Sequence, residues 1–202
     1  MMLIASSVLF GTFLLTSMYL QNVLGTGPME TGLAFLPIAI STGLGAHVGS
    51  HLIGHAGPRR GMALAFILVS VGTMLLSRLD ASGSYVADVL PGIVIAGFGL
   101  GIALVGVALS VLTGAAAEEA GMLSGLNTTG HEVGGAIGIA VMVSIATGSA
   151  TATPVALANG IGDAFLVASI IAAVGAIVGA LLLPTTRTFL PKLKAAPPVA
   201  VH

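Results

Sequence analysis

The stretch VADVLPGIVIAGFGLGIALVGVALSVL, from Val86 to Leu112, decides the fold. Its one ionisable side chain is Asp88, near its beginning. A helix needs about 20 consecutive apolar residues to cross the hydrocarbon of a bilayer. The run is too long and too continuous for an alternating barrel strand. Backbone groups in lipid must be paired within a helix or a closed barrel, so this segment reads as a transmembrane helix.

Five further blocks read the same way. With the first they run approximately from Met2 to Val23, Leu33 to Ile53, Met62 to Leu76, Val86 to Leu112, Leu123 to Thr147 and Ile161 to Leu183. The gaps hold the turn and charge signals: Gly25 to Glu30, Gly54 to Gly61, Ser77 to Asp80, Glu118-Glu119, and Gly148 to Asn159. The third block is the shortest and has room to extend at both ends. The expectation is an all-α membrane protein with a six-helix domain over residues 1–184 and almost nothing outside the bilayer.

Composition agrees. Of 202 residues 56% are hydrophobic and 6% charged, against about 25% charged in a soluble domain. Lipid must therefore be the solvent for most of the surface. A net charge of −1 gives no basic surface for nucleic acid. The chain has no cysteine, which excludes disulfides and thiolate chemistry. Met1-Met2-Leu3-Ile4 lacks the basic region of a secretory signal and reads as the start of a first span.

Basic residues set the direction. In a six-span arrangement Arg59, Arg60, Arg187, Lys192 and Lys194 fall on one side and Arg78 alone on the other. Cytoplasmic loops collect Lys and Arg, so the second loop, the fourth loop and the C-terminus are expected inside. The segment 185–202, rich in Pro and Ala, reads as a short disordered cytoplasmic tail.

Small residues at four-residue spacing say how the helices meet. Lipid gives no hydrophobic drive between helices, so close backbone approach holds them. Gly45 and Gly49, Gly97 and Gly101, and Gly175 and Gly179 have that spacing, and Gly130, Gly134 and Gly138 form a stripe down the fifth span. The run Gly97-Phe-Gly99-Leu-Gly101 follows no strand and would lie in lipid, so it is packing and not a nucleotide loop.

With these residues in view, the chain resembles the major facilitator superfamily, and within it the fourteen-helix drug:proton antiporter branch, over the C-terminal six-helix domain only. The resemblance rests on Tyr19-Leu20-Gln21-Asn22-Val23-Leu24-Gly25 with Pro28, and on Gly32-Leu33-Ala34-Phe35-Leu36-Pro37. It rests further on Gly57-Pro58-Arg59-Arg60 in a cytoplasmic loop, on Gly125 to Gly138, and on Asp163-Ala164-Phe165. The sequence departs from the family's loop pattern at Gly54, where an acid is frequent, and at His55, where a base is usual. The resemblance implies one half of a major facilitator fold, with substrate bound near the midplane between two rocking halves. It implies proton-coupled efflux of hydrophobic or cationic small molecules across the plasma membrane, driven by the proton gradient with no cofactor. The partners expected from it are lipid, a small-molecule substrate, and either an N-terminal six- or eight-helix half on another chain or a second copy of this one. The alternative is a truncated, transport-inactive fragment or an accessory membrane protein.

Few side chains carry charge in or near the spans. His131 and Glu132 lie at the cytoplasmic beginning of the fifth span, ahead of the glycine stripe. A buried acid there takes up and releases protons, whereas one at headgroup level merely fixes a helix end, and depth decides between the two. His131-Glu132 does not open a zinc-protease helix, because the position of the second histidine is Gly135. His47, His51 and His55 are spaced to share one helix face, where imidazoles can bind Zn, Ni or Cu, but with no partner carboxylate they read as interfacial histidines and no metal is assigned. Gln21 and Asn127 are candidate substrate or helix contacts, and Ser41, Thr42, Ser110 and Thr128 are weaker ones. Asp88 and Asp163 are expected at the outer ends of their helices, as N-caps or as first-turn acids favoured by the helix dipole. No nucleophile–base pair, metal set or phosphate loop stands at catalytic spacing, so an enzyme is not expected.

Overall fold

A computed structural model of the protein describes residues 1–112, 119–148, 153–184 and 191. Glu118 and, Pro191 aside, the tail of residues 185–202 with Arg187, Lys192 and Lys194 lie outside the described residues. Among the described residues every regular element is helical. Helix α1 is Met2–Met18 and runs on through a wider π turn at Tyr19–Val23. Then come α2 (Pro28–Ala34), α3 (Leu36–Leu76), a second π turn at Tyr85–Val89, α4 (Leu90–Leu112), α5 (Ala120–Ala146) and α6 (Pro154–Leu182).

Five of these stretches are long and apolar enough to cross a bilayer, and one of them, Pro28–Leu76, is 49 residues long. Gly57 resolves the count. Its backbone sits at φ 79° and ψ 162°, a region open essentially to glycine alone, and Pro58 behind it lacks the N–H that a continuous helix needs. The chain reverses here. A methyl group at Gly61 would lie 2.6 Å from Ile53 Cγ1, eight residues back.

Helix α4 confirms the reversal, because it packs against both arms at one level. A methyl group on Gly49 would lie 2.8 Å from Ile102 Cα, and one on Gly99 would lie 2.6 Å from the Ala65 carbonyl oxygen. In a straight helix positions 49 and 65 would stand about 24 Å apart. Arm 36–56 runs parallel to α4, since Gly45 meets Phe98 and Gly49 meets Ile102. Arm 58–76 runs antiparallel, since Gly99 meets Ala65 and Gly72 meets Ala96. The protein therefore crosses six times. The third crossing starts at Pro58 and not at Met62, which makes up for its short apolar block.

The other pairings follow the same logic. Gly134 faces Leu3 and Gly138 faces Ser7, so α1 and α5 run parallel, and Ser7 Oγ donates to the Gly134 carbonyl at 2.7 Å. Arm 58–76 and α6 are antiparallel, joined by Ser70 and Ser169, each of whose hydroxyls donates to the other's carbonyl at 2.9 Å. At the end away from the Gly57 turn Tyr19 donates to the Asp80 carbonyl and Tyr85 to the Ala34 carbonyl, both at 2.7 Å. As a result the Gly57–Arg60 turn, the beginnings of α1 and α5 and the ends of α4 and α6 share one end of the bundle. Arg78 sits at the other.

Two helix starts differ from the sequence reading. Helix α6 begins at Pro154, since Thr153 Oγ1 accepts from Ala156 N at 3.2 Å and Pro154 suits the first helical position. Asp163 is therefore inside α6 and exposed, not a cap. Asp88 stands in the first turn behind the N-cap Ser84, its Oδ2 accepting from Ser84 N at 2.7 Å. Helix α5 begins at Ala120, so small and polar residues read as a loop are in fact a first turn.

Glycine spacing predicts stability. A methyl group at Gly101 would meet the Thr42 carbonyl and lie 2.7 Å from Ala46 N, whereas Gly43 has nothing within 4 Å. Gly101→Ala should cost about 1–3 kcal/mol and lower the melting temperature in detergent, while Gly43→Ala should leave it unchanged or raise it. Thermal unfolding followed by circular dichroism checks both.

Candidate functional site

Exposure separates the helices into two kinds. Past Arg60, arm 58–76 shows large aliphatics outward, Leu64, Ile67, Val71 and Met74, and past Asp163 α6 shows mainly Leu166, Ile170, Val174 and Ile177. These faces suit hydrocarbon. Arm 36–56 instead carries two outward stripes, an aliphatic one of Leu36, Ile40, Leu44 and Val48 and, beside it, Ala39, Gly43, His47 and Ser50. Helix α5 repeats the arrangement, with Leu126, Val133, Ile137 and Val141 beside Gly125, Thr129, Glu132, Ala136 and Ala140. The small and polar stripes mark a face that hydrocarbon does not suit.

Helix α1 lies between these two wings. Phe10 meets the His131 ring edge-to-face at 5.2 Å, and Phe13 stacks on Phe35 at 4.4 Å with the rings 10° from parallel. Phe13 keeps 43% exposure. Further along the same side of α1, Gln21 Nε2 donates to Ser17 Oγ at 2.9 Å. A track of aromatic and polar groups thus runs along α1 from His131 to Gln21.

Glu132 is the only carboxylate on the α5 stripe. It exposes 72% of its side chain, against 24% for His131, whose Nδ1 lies 3.4 Å from Glu132 Oε1. Helix α5 extends about 18 Å beyond Glu132 towards the Gly57 end, further than the sequence reading placed the helix start. Glu132 is level with the first turn of α1, because Gly130 faces Met2 and Gly134 faces Leu3. The carboxylate can accept hydrogen bonds or hold a cation at the rim of the face.

The remaining sequence candidates are spread out. Gln21 is at the far end of α1, about 27 Å from the level of Glu132, so the two do not form one site. Asn127 turns inward and lines a cavity of about 470 Å³ with Met1, Met62, Val107, Ser110 and Leu123 at the Gly57 end. Its Oδ1 is shielded and without a hydrogen-bond partner. Gly57 is buried in the reversal, Arg59 is half-buried and Arg60 is exposed. Gly97, Gly101, Gly134 and Gly138 each meet a neighbouring helix closely, but a methyl at Gly130 would sit 3.7 Å from Met2 Cβ, in ordinary contact. Sequence reading missed Phe10, Phe13 and Phe35. The available signal was the scarcity of aromatics, 4% of the chain, with two of them three residues apart in the first span.

Residues 1–139 match the family model described as the Major Facilitator Superfamily. This chain belongs to the major facilitator superfamily. It is 31% identical over 130 residues to a puromycin resistance protein of Streptomyces alboniger, covering 63% of this chain and 26% of that one. It is 34% identical over 136 residues to a tetracenomycin C resistance and export protein of Streptomyces glaucescens, covering 67% and 25%. A multidrug resistance protein of Mycobacterium tuberculosis is 32% identical over 125 residues, covering 62% and 23%. The chain thus spans about a quarter of the length of these relatives. Its fold matches that of the inward-open xylose transporter of E. coli with a TM-score of 0.73 at 18% identity, covering 96% of this chain and 49% of the other. The six crossings are one half of a major facilitator fold.

The two stripes predict different surroundings. The chain has no native cysteine, so single cysteines report cleanly. In membrane vesicles Thr129→Cys and Ala136→Cys should react with a membrane-impermeant maleimide at least tenfold faster than Ile170→Cys on α6. Equal rates would remove the distinction between the faces.

Proposed function

We propose that this chain is the C-terminal half of a proton-coupled exporter of hydrophobic or cationic small molecules, with its substrate passing over the face between α5 and arm 36–56. The observation that carries the reading is Glu132. It stands near the Gly57 end of the bundle, level with the first turn of α1, at the mouth of the face and not at the midplane. A stripe of small and polar residues around it gives it water or a protein partner. Phe10 and the Phe13–Phe35 stack offer ring faces to an apolar cation, and Glu132 offers the charge. The similar proteins named for puromycin, tetracenomycin and multidrug resistance support the same class of cargo.

Proton coupling follows from the same group. An acid that binds a cation on one side and a proton on the other exchanges the two, provided the face is covered. The cover is a further helical half of the transporter or a second copy of this chain. Arg59 and Arg60 at the Gly57 end, against Arg78 at the other, support placing the Gly57 end in the cytosol, with the plasma membrane as the host.

The test is efflux of ethidium, an apolar cation, from cells or vesicles holding the protein. Efflux should stop with a protonophore, fall at least tenfold in Glu132→Gln and survive in Glu132→Asp. Phe13→Ala should raise KM more than it lowers kcat. Proton-dependent efflux unchanged in Glu132→Gln would reject Glu132 as the coupling group. Absence of efflux unless a further helical half is supplied would favour the reading of the isolated chain as an inactive half.

A further inference from the structure

His47 and His51 lie one helical turn apart on arm 36–56, and both are exposed. Their rings are 4.9 Å apart, centroid to centroid, and 75° from parallel. No hydrogen bond to a protein group engages either ring among the described residues. His55, one turn further, is arranged differently, because its Nδ1 donates to the His51 carbonyl at 2.8 Å. Ser50 Oγ donates to the His47 carbonyl at 2.8 Å, which leaves the His47 ring untouched. The pair is therefore two imidazoles whose nitrogens no protein group engages among the described residues, held side by side by the helix itself.

We propose that His47 and His51 form a two-imidazole site for a divalent transition-metal ion of the copper, nickel or zinc class. Imidazole nitrogen suits these ions. Two nitrogens bound about 2.0–2.1 Å from a tetrahedral ion stand about 3.3 Å apart. The broad χ2 torsion of histidine lets neighbouring rings turn their nitrogens to that separation without moving the backbone. The helix supplies the chelate geometry in advance, so little order is lost on binding.

Among the described residues no set of three ligating side chains converges. The bound ion therefore keeps open positions, filled by water or by an exchangeable donor. His47 belongs to the small and polar stripe of the open face, beside Gly43 and Ser50. An ion held there confronts whatever covers or crosses that face, and it adds positive charge on the wing opposite Glu132. This site is independent of proton coupling and stands or falls without it.

The experiment uses the full chain purified without a histidine tag and titrated with Cu²⁺. Electron paramagnetic resonance should show one ion per chain with coupling to two nitrogens, and calorimetry with Ni²⁺ should show a single site. His47→Ala and His51→Ala should each lower affinity at least tenfold and leave at most one coupled nitrogen. His51→Gln, which keeps size and polarity, should do the same in protein that elutes as the native species. His55→Ala should bind as the native chain does. Binding unaffected in the His47→Ala, His51→Ala double variant, or lost equally in His55→Ala, would overturn the site.

Discussion

Backbone contact at glycine is the constraint on which the rest of this structure depends. Between helices in lipid, burial of apolar surface gives no net drive, and association rests on close packing and a few hydrogen bonds. Helix α4 meets the arm 36–56 at Gly45, Gly49 and Gly101 and the arm 58–76 at Gly72 and Gly99, with atoms of the partner where a Cβ would be. Gly134 and Gly138 bring α5 onto α1 in the same way. The interhelical bonds of Ser7 and of the Ser70–Ser169 pair form because the backbones are already this close. Such bonds average only about 0.6 kcal/mol in membrane proteins, so they set register more than they hold the bundle.

Close packing on one side dictates what the other side can be. Arm 36–56 spends one face of its small residues on α4, and α5 spends one on α1. Each helix nonetheless carries a second set of small or polar residues on its open side. Past Arg60 and Asp163, arm 58–76 and α6 show mainly aliphatics to the lipid. The distribution of side-chain size therefore singles out the α5–α1–arm 36–56 face, where the proposed function is placed. The Phe13–Phe35 stack and the Phe10–His131 contact follow from the seating of α1 between the two wings.

Much of the fold was legible in the sequence because hydrocarbon imposes a length and a composition on each crossing. Val86 to Leu112 needed no further context, and the glycine spacings announced close helix pairs. The reversal was only half legible. Gly57-Pro58 reads as a turn, yet the helical hydrogen bonding runs so near to continuous that only the φ of Gly57 and the double contact of α4 establish two crossings. The early starts of α5 and α6 were hidden because residues 120–124 and 154–160 mix Gly, Ser, Asn and Ala, which serve loops and packed helices equally. The length of α5 that lies beyond Glu132 was not legible at all. The level of Glu132 depends on the offset of α5 against α1, set by which glycine meets Leu3. The aromatic pairs were hidden for the same reason, since the Phe13–Phe35 contact joins residues of different helices.

The double contact of α4 makes the reversal at Gly57 the claim most open to direct measurement. Leu36 and Met74 are both exposed and accept spin labels in a chain with no other cysteine. A continuous helix through Gly57 would hold the two positions about 57 Å apart. Two arms clasped to α4 bring them to the same depth, at less than roughly half that distance. Pulsed dipolar spectroscopy of Leu36→Cys, Met74→Cys in liposomes should therefore give a distribution centred below about 28 Å. A single peak near the full-helix distance would contradict the six-crossing fold and the open face built on it.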